Sequence, residues 1–312
     1  MAWREGVEIE AYGLSGNEIK AIVEEAGGIF HGMYGYQGGT MNATNESRQG
    51  RNPRRGSFGV WDMKIDGPVF KVNTDSTITG YDATWDDAGA FELVTPVLHG
   101  EAGMRMLRRI LKKMVQAGAQ VDRSCGTHIN MGINHIARVK RMSNRSRMDI
   151  GRRIAEIYSH FQPVFDAISP NCRRSDSTNM AYGASCRPCD TARPFRGRCV
   201  VNMLNVELFI MTGRVEFRQP GFTLDANKIE GWSRLLNSVV SCAVNLDHRN
   251  YRVPCHNFPR TLEGMVEMLN PGVKANRWAE TRIRSLIERY TGYRNERVAV
   301  MELAPLSRWE LA

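Results

Sequence analysis

Five short stretches of this chain alternate charged or polar residues with apolar ones, position by position. Successive side chains of a β-strand point to opposite faces, so a period of two describes a strand with one buried and one polar face. In Gly6-Val7-Glu8-Ile9-Glu10 the two glutamates share a face and Val7 and Ile9 take the other. In Trp61-Asp62-Met63-Lys64-Ile65-Asp66 the three charged residues stand opposite Trp61, Met63 and Ile65. Glu92 opposes Phe91 and Leu93, His128 and Asn130 share one face of Gly126–Met131, and Arg214, Glu216 and Arg218 share one face of Arg214–Arg218.

An antiparallel sheet with one solvated face also alternates in this way. A face that is merely solvated favours Thr, Ser and Lys. This one carries carboxylates, a histidine, an asparagine and arginines. If these strands are neighbours, Glu8, Glu10, Glu92 and Glu216 converge. Carboxylates that close raise one another's pKa unless a cation intervenes. Mg²⁺ takes oxygen ligands and binds substrate phosphates, and arginines grip phosphate through forked donors. That equipment suits phosphoryl transfer, where catalysis is positioning and charge neutralisation.

The rest of the pattern frames this face. Ser15 and Glu18 form a capping box for a helix through about Ala26, ended by Gly27 and Gly28. Residues 101–117 read as a helix with Leu107, Ile110, Leu111 and Met114 in one stripe and Gly118 beyond its end. A second helix is expected over 148–168, kinked at Pro163, and a third from about Asp225, with Ile229, Trp232, Leu236, Val239, Val240 and Val244 inward. Further strands are expected near 69–79 and 199–209, and helix again from 261 onward. The expectation is an α+β fold: a catalytic domain over 1–250 and a helical C-terminal appendage over 251–312 packed on it.

A mean hydropathy of −0.39 and the absence of a long apolar run argue against a membrane span. The N-terminus enters a strand-like pattern with no leader, so the cytosol is the expected compartment. A net charge of +9 fits either a basic soluble protein or one that meets an anion. With 7 cysteines, a disulfide framework is not expected. Cys186-Arg-Pro-Cys189, with Cys172 and Cys199 around it, has the composition of a structural zinc knuckle but irregular spacing, so a reduced loop is the competing reading. Cys125 reads as a core cysteine. The basic stretch 32–57, with Arg48, Arg51, Arg54 and Arg55, is read as a lid, as a site for an acidic substrate, or as disordered chain.

Taken in order, GVEIE at 6–10, WDMKID at 61–66, FELVTP at 91–96, SCGTHINMGI at 124–133 and RVEFRQPGFTLD at 214–225 resemble the amidoligase family. That family belongs to the carboxylate–amine ligase superfamily, and the resemblance runs over roughly residues 5–245. It implies a glutamine-synthetase-like catalytic fold, a curved antiparallel sheet with helices on one face. It implies ATP and Mg²⁺ as cofactors and metal binding by Glu8, Glu10, Glu92 and Glu216. It places His128, Asn130, Arg214 and Arg218 around the nucleotide phosphates, with His128, Arg218, Lys64 and Asp66 as catalytic residues. The chain departs from the family where Asp66-Gly67-Pro68 replaces the usual Asp-x-Ser, and where Asn130 follows His128 instead of a second histidine.

The implied reaction joins a small-molecule or peptide carboxylate to an amine through an acyl phosphate. A glutamate–cysteine-ligase-like peptide ligase or a guanidino-type kinase of the same fold is the alternative within enzymes. A basic nucleic-acid-binding protein on a degenerate scaffold, with Tyr34 and Tyr36 stacking on bases, is the alternative of another class. The acidic set separates these readings, because a face that grips a phosphate backbone has no use for clustered glutamates.

Overall fold

The computed structural model describes residues 4–34, 68–74, 78, 82–134, 136–170, 201–202, 209, 212–246 and 254–291. They belong to two compact units, one of Met1–Asn130 with Phe222–Asn227 and one of Met131–Gly221 with Lys228–Ala312. Among the described residues the fold mixes helices with mostly antiparallel strands that do not close into a barrel. Among the described residues no helix is long and apolar enough to cross a membrane.

The first unit is organised around β1 (Arg4–Leu14), β2 (Ile29–Tyr34), β3 (Val69–Thr74) and β4 (Gly89–Val94). The short β5 (Leu98–His99) and the start of β6 (Thr127–Gly132) join them. The strand order is β2-β3-β4-β1-β6, with β5 paired to the beginning of β1. Val7, Ile9 and Ala11 are fully buried while Glu8 and Glu10 are only partly so, as the alternation in the sequence requires. Antiparallel partners share a face, so Ile9 opposite Leu93 and Ala11 opposite Phe91 extend the apolar side, where Phe70 and Val72 are also buried. Each of the larger ones, Ile9, Leu93, Phe91, Phe70 and Val72, stabilises the fold by ~1.5–3 kcal/mol relative to exposure.

One strand pair differs from the antiparallel expectation, because β2 and β3 run parallel. Parallel neighbours need a crossover of a dozen residues or more. The chain between Tyr34 and Val69 is long enough for one, whereas a tight hairpin turn there would have made the pair antiparallel. The stretch at 58–66 expected to be a strand lies outside the described residues, and residues 32–34, expected to open the basic loop, belong to β2.

Two helices complete the first unit. In Gly16–Glu25 the Ser15 side chain accepts from the Glu18 N–H, and the Glu18 carboxylate accepts from the Ser15 N–H, which is the expected capping box. Gly27, at φ +86°, ends that helix, with the Gly28 N–H donating to the Val23 carbonyl at 2.9 Å. The helix Gly100–Gln116 buries Met104, Leu107, Ile110, Leu111 and Met114. Its basic face ties the helices together: Arg109 donates to the Ala26 carbonyl at 3.2 Å and Lys113 pairs with Glu25. Arg109 therefore meets the carbonyl end of the first helix, where a cation opposes the helix dipole favourably.

In the second unit the helix expected over 148–168 is two helices, Asn144–His160 and Gln162–Ile168. The break falls at Phe161 because Pro163 has no N–H to continue the first helix, yet fits in the first turn of the next. Tyr158, Phe161, Phe165 and Ile168 are fully buried, and Tyr158 stacks on Phe165 with ring centroids 4.0 Å apart. The strands here are β7 (Val201–Asn202) and β8 (Arg214–Phe217), antiparallel, with Asn202 opposite Glu216. The helix Ala226–Asn245 passes from the first unit into the second and buries Ile229, Trp232, Leu236, Val239, Val240 and Val244, as the sequence predicts. Leu262–Leu269 and Val273–Thr291 confirm the expected helices after 261. Trp278 of the last helix lies where a Cβ on Gly231 would stand, 2.0 Å from its ring, so only glycine fits there.

Candidate active site

The polar side of the first unit is built strand by strand. Glu10 on β1 stands directly opposite Glu92 on β4, and Glu92 stands directly opposite Asn73 on β3. Directly opposed side chains in a sheet are nearest neighbours, and like charges so placed destabilise the pair. Burial, and then the charges of Glu8 and Glu10, push the Glu92 carboxyl up to about 8. His128 and a hydrogen bond from Asn73 act against that rise, and they do not cancel it. The Asn73 Nδ2 donates to Glu92 Oε2 at 2.6 Å.

The start of β6 brings two further side chains to the glutamates of β1. The Glu10 N–H donates to the Gly126 carbonyl at 3.0 Å, which seats this strand against β1. His128 is 3% exposed and lies between the two carboxylates: its Nδ1 is 3.3 Å from Glu8 Oε2 and its Nε2 is 3.8 Å from Glu10 Oε1. Asn130 donates from Nδ2 to Glu8 Oε1 at 3.1 Å. Glu8 thus has an imidazole on one oxygen and an amide on the other.

These residues fit a divalent cation. Glu8, Glu92 and His128 each offer one ligand atom, and the three atoms lie within 4.8 Å of one another. Atoms bound to one Mg²⁺ or Ca²⁺ lie ~3–5 Å apart, given their ligand distances. The side-chain oxygens of Asn73 and Asn130 are also buried, and neither has a hydrogen-bond partner among the described residues. An amide oxygen buried without a partner costs ~1–3 kcal/mol, and it is a hard ligand for a cation or a water.

In the second unit β8 carries Arg214 and Glu216, and Arg218 follows just past its end. Glu216 is 3% exposed, with Arg218 paired to its Oε1 and Arg214 Nη2 3.8 Å from its Oε2. Behind this strand end lies a buried polar network that the sequence reading missed. Tyr158 Oη donates to Gln219 Oε1 at 2.7 Å, and Gln162 Nε2 donates to the same oxygen at 2.9 Å and to Asp166 Oδ1 at 2.9 Å. Gln219 Nε2 also donates to Asp166 Oδ1, at 2.5 Å. The signal for it was the spacing of Gln162 and Asp166, four residues apart on one helix face.

Glu8, Glu10, Glu92, His128 and Asn130 are therefore together in the first unit, and Arg214, Glu216 and Arg218 are together in the second. Lys64, Asp66 and the neighbouring Asp62 lie outside the described residues, as do Cys172, Cys186, Cys189 and Cys199. Cys125 is fully buried and its thiol is pushed up to about 11, chiefly by burial, as suits a core cysteine. Asn73 and Lys71 were not singled out from the sequence. Their signal was the alternation in Val69–Thr74, where buried Phe70 and Val72 leave Lys71 and Asn73 to the other face.

A family model described as "Putative amidoligase enzyme" matches residues 1–167, just over half of the chain. No curated protein matches it.

Proposed function

Because the chain belongs to the amidoligase family, we propose that it is an ATP- and Mg²⁺-dependent carboxylate–amine ligase. The observation that carries this reading is the meeting of Glu8, Glu92 and His128 ligand atoms within 4.8 Å, with Glu10 directly across from Glu92. Such a set repels a phosphate backbone unless a cation stands between, which counts against a nucleic-acid-binding face. The reading carries with it a glutamine-synthetase-like catalytic fold.

In this proposal Glu8, Glu10, Glu92 and Glu216 are the metal-binding residues. A bound divalent cation would supply charge neutralisation at the ATP phosphates. His128, held in orientation by Glu8, donates to a phosphoryl oxygen from its other nitrogen when that nitrogen carries the proton. Arg214 and Arg218 grip phosphate through guanidinium donors not engaged with Glu216, and Asn130 adds an amide to the nucleotide side. Lys64 contacts phosphate or the acyl group, and Asp66 or Asp62 takes a proton from the attacking amine. The substrate carboxylate attacks the γ-phosphorus and ADP leaves. The amine then displaces phosphate from the acyl phosphate, and an amide remains. The acid and the amine are small molecules or peptides.

The test is ADP release by the purified protein, screened across pairs of carboxylates and amines with and without Mg²⁺. The expected result is release that requires Mg²⁺ and both organic substrates. Release that proceeds equally without the amine or without the metal overturns the proposal. A thermal shift with ATP·Mg²⁺ is the first measurement.

A further inference from the structure

Each of two carboxylates on the polar side of the first unit has an asparagine amide on one of its oxygens. Asn130 reaches Glu8 Oε1 from β6, and Asn73 reaches Glu92 Oε2 from β3. The two amides come from different strands on either side of the β4–β1 pair. Both present a buried side-chain oxygen that has no hydrogen-bond partner among the described residues. A cross-strand pair that served only the sheet would not strand a buried amide oxygen.

The Asn73–Glu92 contact is the more telling of the two. Glu92 faces a second glutamate on β1, so repulsion from Glu10 would turn its carboxylate aside. Asn73 donates to Oε2 from the opposite strand and holds that oxygen on the β3 side. One carboxylate oxygen of Glu92 gathers with ligand atoms of Glu8 and His128, all within 4.8 Å of one another. Asn73 lies between the segments Trp61–Asp66 and Phe91–Pro96 and belongs to neither.

We propose that Asn73 is a positioning residue: it occupies Glu92 Oε2 so that Glu92 presents one oxygen to a divalent cation. This rests on the metal-binding reading of Glu92. Partners that orient a metal ligand from behind govern affinity strongly, and their loss costs 10–100-fold.

The experiment measures Mn²⁺ binding to the full-length protein without nucleotide, by titration calorimetry. It is joined by infrared difference spectra of the carboxylate bands with and without Mn²⁺. Asn73→Ala is expected to weaken Mn²⁺ binding about tenfold or more. The splitting between the antisymmetric and symmetric carboxylate bands is expected to narrow, as the released Glu92 offers both oxygens. A structural role alone would leave that splitting unchanged. Asn73→Leu, close to asparagine in size but without a donor, keeps the test intact if the alanine variant melts early, and the same two changes are expected. Glu92→Gln serves as the reference. If Glu92→Gln loses affinity while both Asn73 variants match wild type in affinity and splitting, this inference is overturned and the metal reading stands. If wild type binds no Mn²⁺, or Glu92→Gln binds it as wild type does, the metal reading of Glu92 is overturned and this inference with it.

Discussion

Glu92 and Glu216 each lie in a short strand between apolar neighbours, and their surroundings are opposite. Glu216 is buried between two guanidiniums close by in the chain, with Arg218 on one oxygen and Arg214 near the other. Glu92 has a neutral amide on one side and a second glutamate on the other, and its carboxyl is pushed up to about 8. Compensation by arginines is built into β8, whereas on β4 it has to come from a proton or a cation. Burial and the neighbouring carboxylates thus favour the protonated form of Glu92.

The largest effect expected of this contrast is on turnover. Glu8→Gln and Glu216→Gln should each abolish ATP turnover, a fall of at least ~100-fold, with far-UV circular dichroism unchanged. Full activity in both variants sinks the ligase proposal. Full activity in Glu216→Gln alone would reduce Glu216 to a partner for its arginines and sharpen the contrast.

A smaller effect is expected in stability. Arg218→Ala takes one of two guanidiniums from the buried Glu216 carboxylate and should cost about 1–3 kcal/mol in urea unfolding. Glu92→Gln should act in the other direction, raising the melting temperature of the cation-free protein at pH 8.5, because it removes a carboxylate that repels Glu8 and Glu10. If both variants destabilise equally, the two glutamates do not differ as described.

The pH dependence follows from the same shift. A carboxyl raised from about 4.5 to about 8 on folding holds a proton in the native state that the unfolded chain has already released. Stability from this group therefore falls as pH rises from about 4.5 through about 8, and levels off above that. Wild-type melting temperatures should carry this decline in the absence of divalent cation, and Glu92→Gln should lack it. Mg²⁺ should raise the melting temperature more at pH 8.5 than at pH 6, since binding must displace the proton at the lower pH. A cation effect independent of pH would contradict the assignment of the raised pKa to a ligand.

The smallest effect concerns the second unit. Tyr158→Phe removes the hydroxyl that donates to Gln219 Oε1 and should cost ~1 kcal/mol of stability. It should leave the Mg²⁺ thermal shift unchanged. A change in that shift would tie the buried network to cation binding and blur the distinction between the two regions.

Much of this protein was legible locally. The alternation of Val7, Glu8, Ile9 and Glu10 determined which side of β1 is buried, because the pleat allows no other assignment. Ser15 and Glu18 determined where the first helix begins, Gly27 where it ends, and Pro163 where the helix pair breaks, since each acts through its own backbone. Alternation and residue types marked Glu8, Glu10, Glu92 and Glu216, with His128 and Asn130, as a set. Their company was decided only in three dimensions. Placing Glu10 opposite Glu92, and Asn73 opposite Glu92, is a matter of register between strands far apart in the chain. A shift of one residue would turn a whole strand over, and the buried faces forbid it. A shift of two would keep every face correct and still change each neighbour, so no local pattern specifies it. Packing of the whole unit makes that choice. It is why the sequence marks β3 as a strand and gives no sign that Asn73 meets the carboxylate of Glu92.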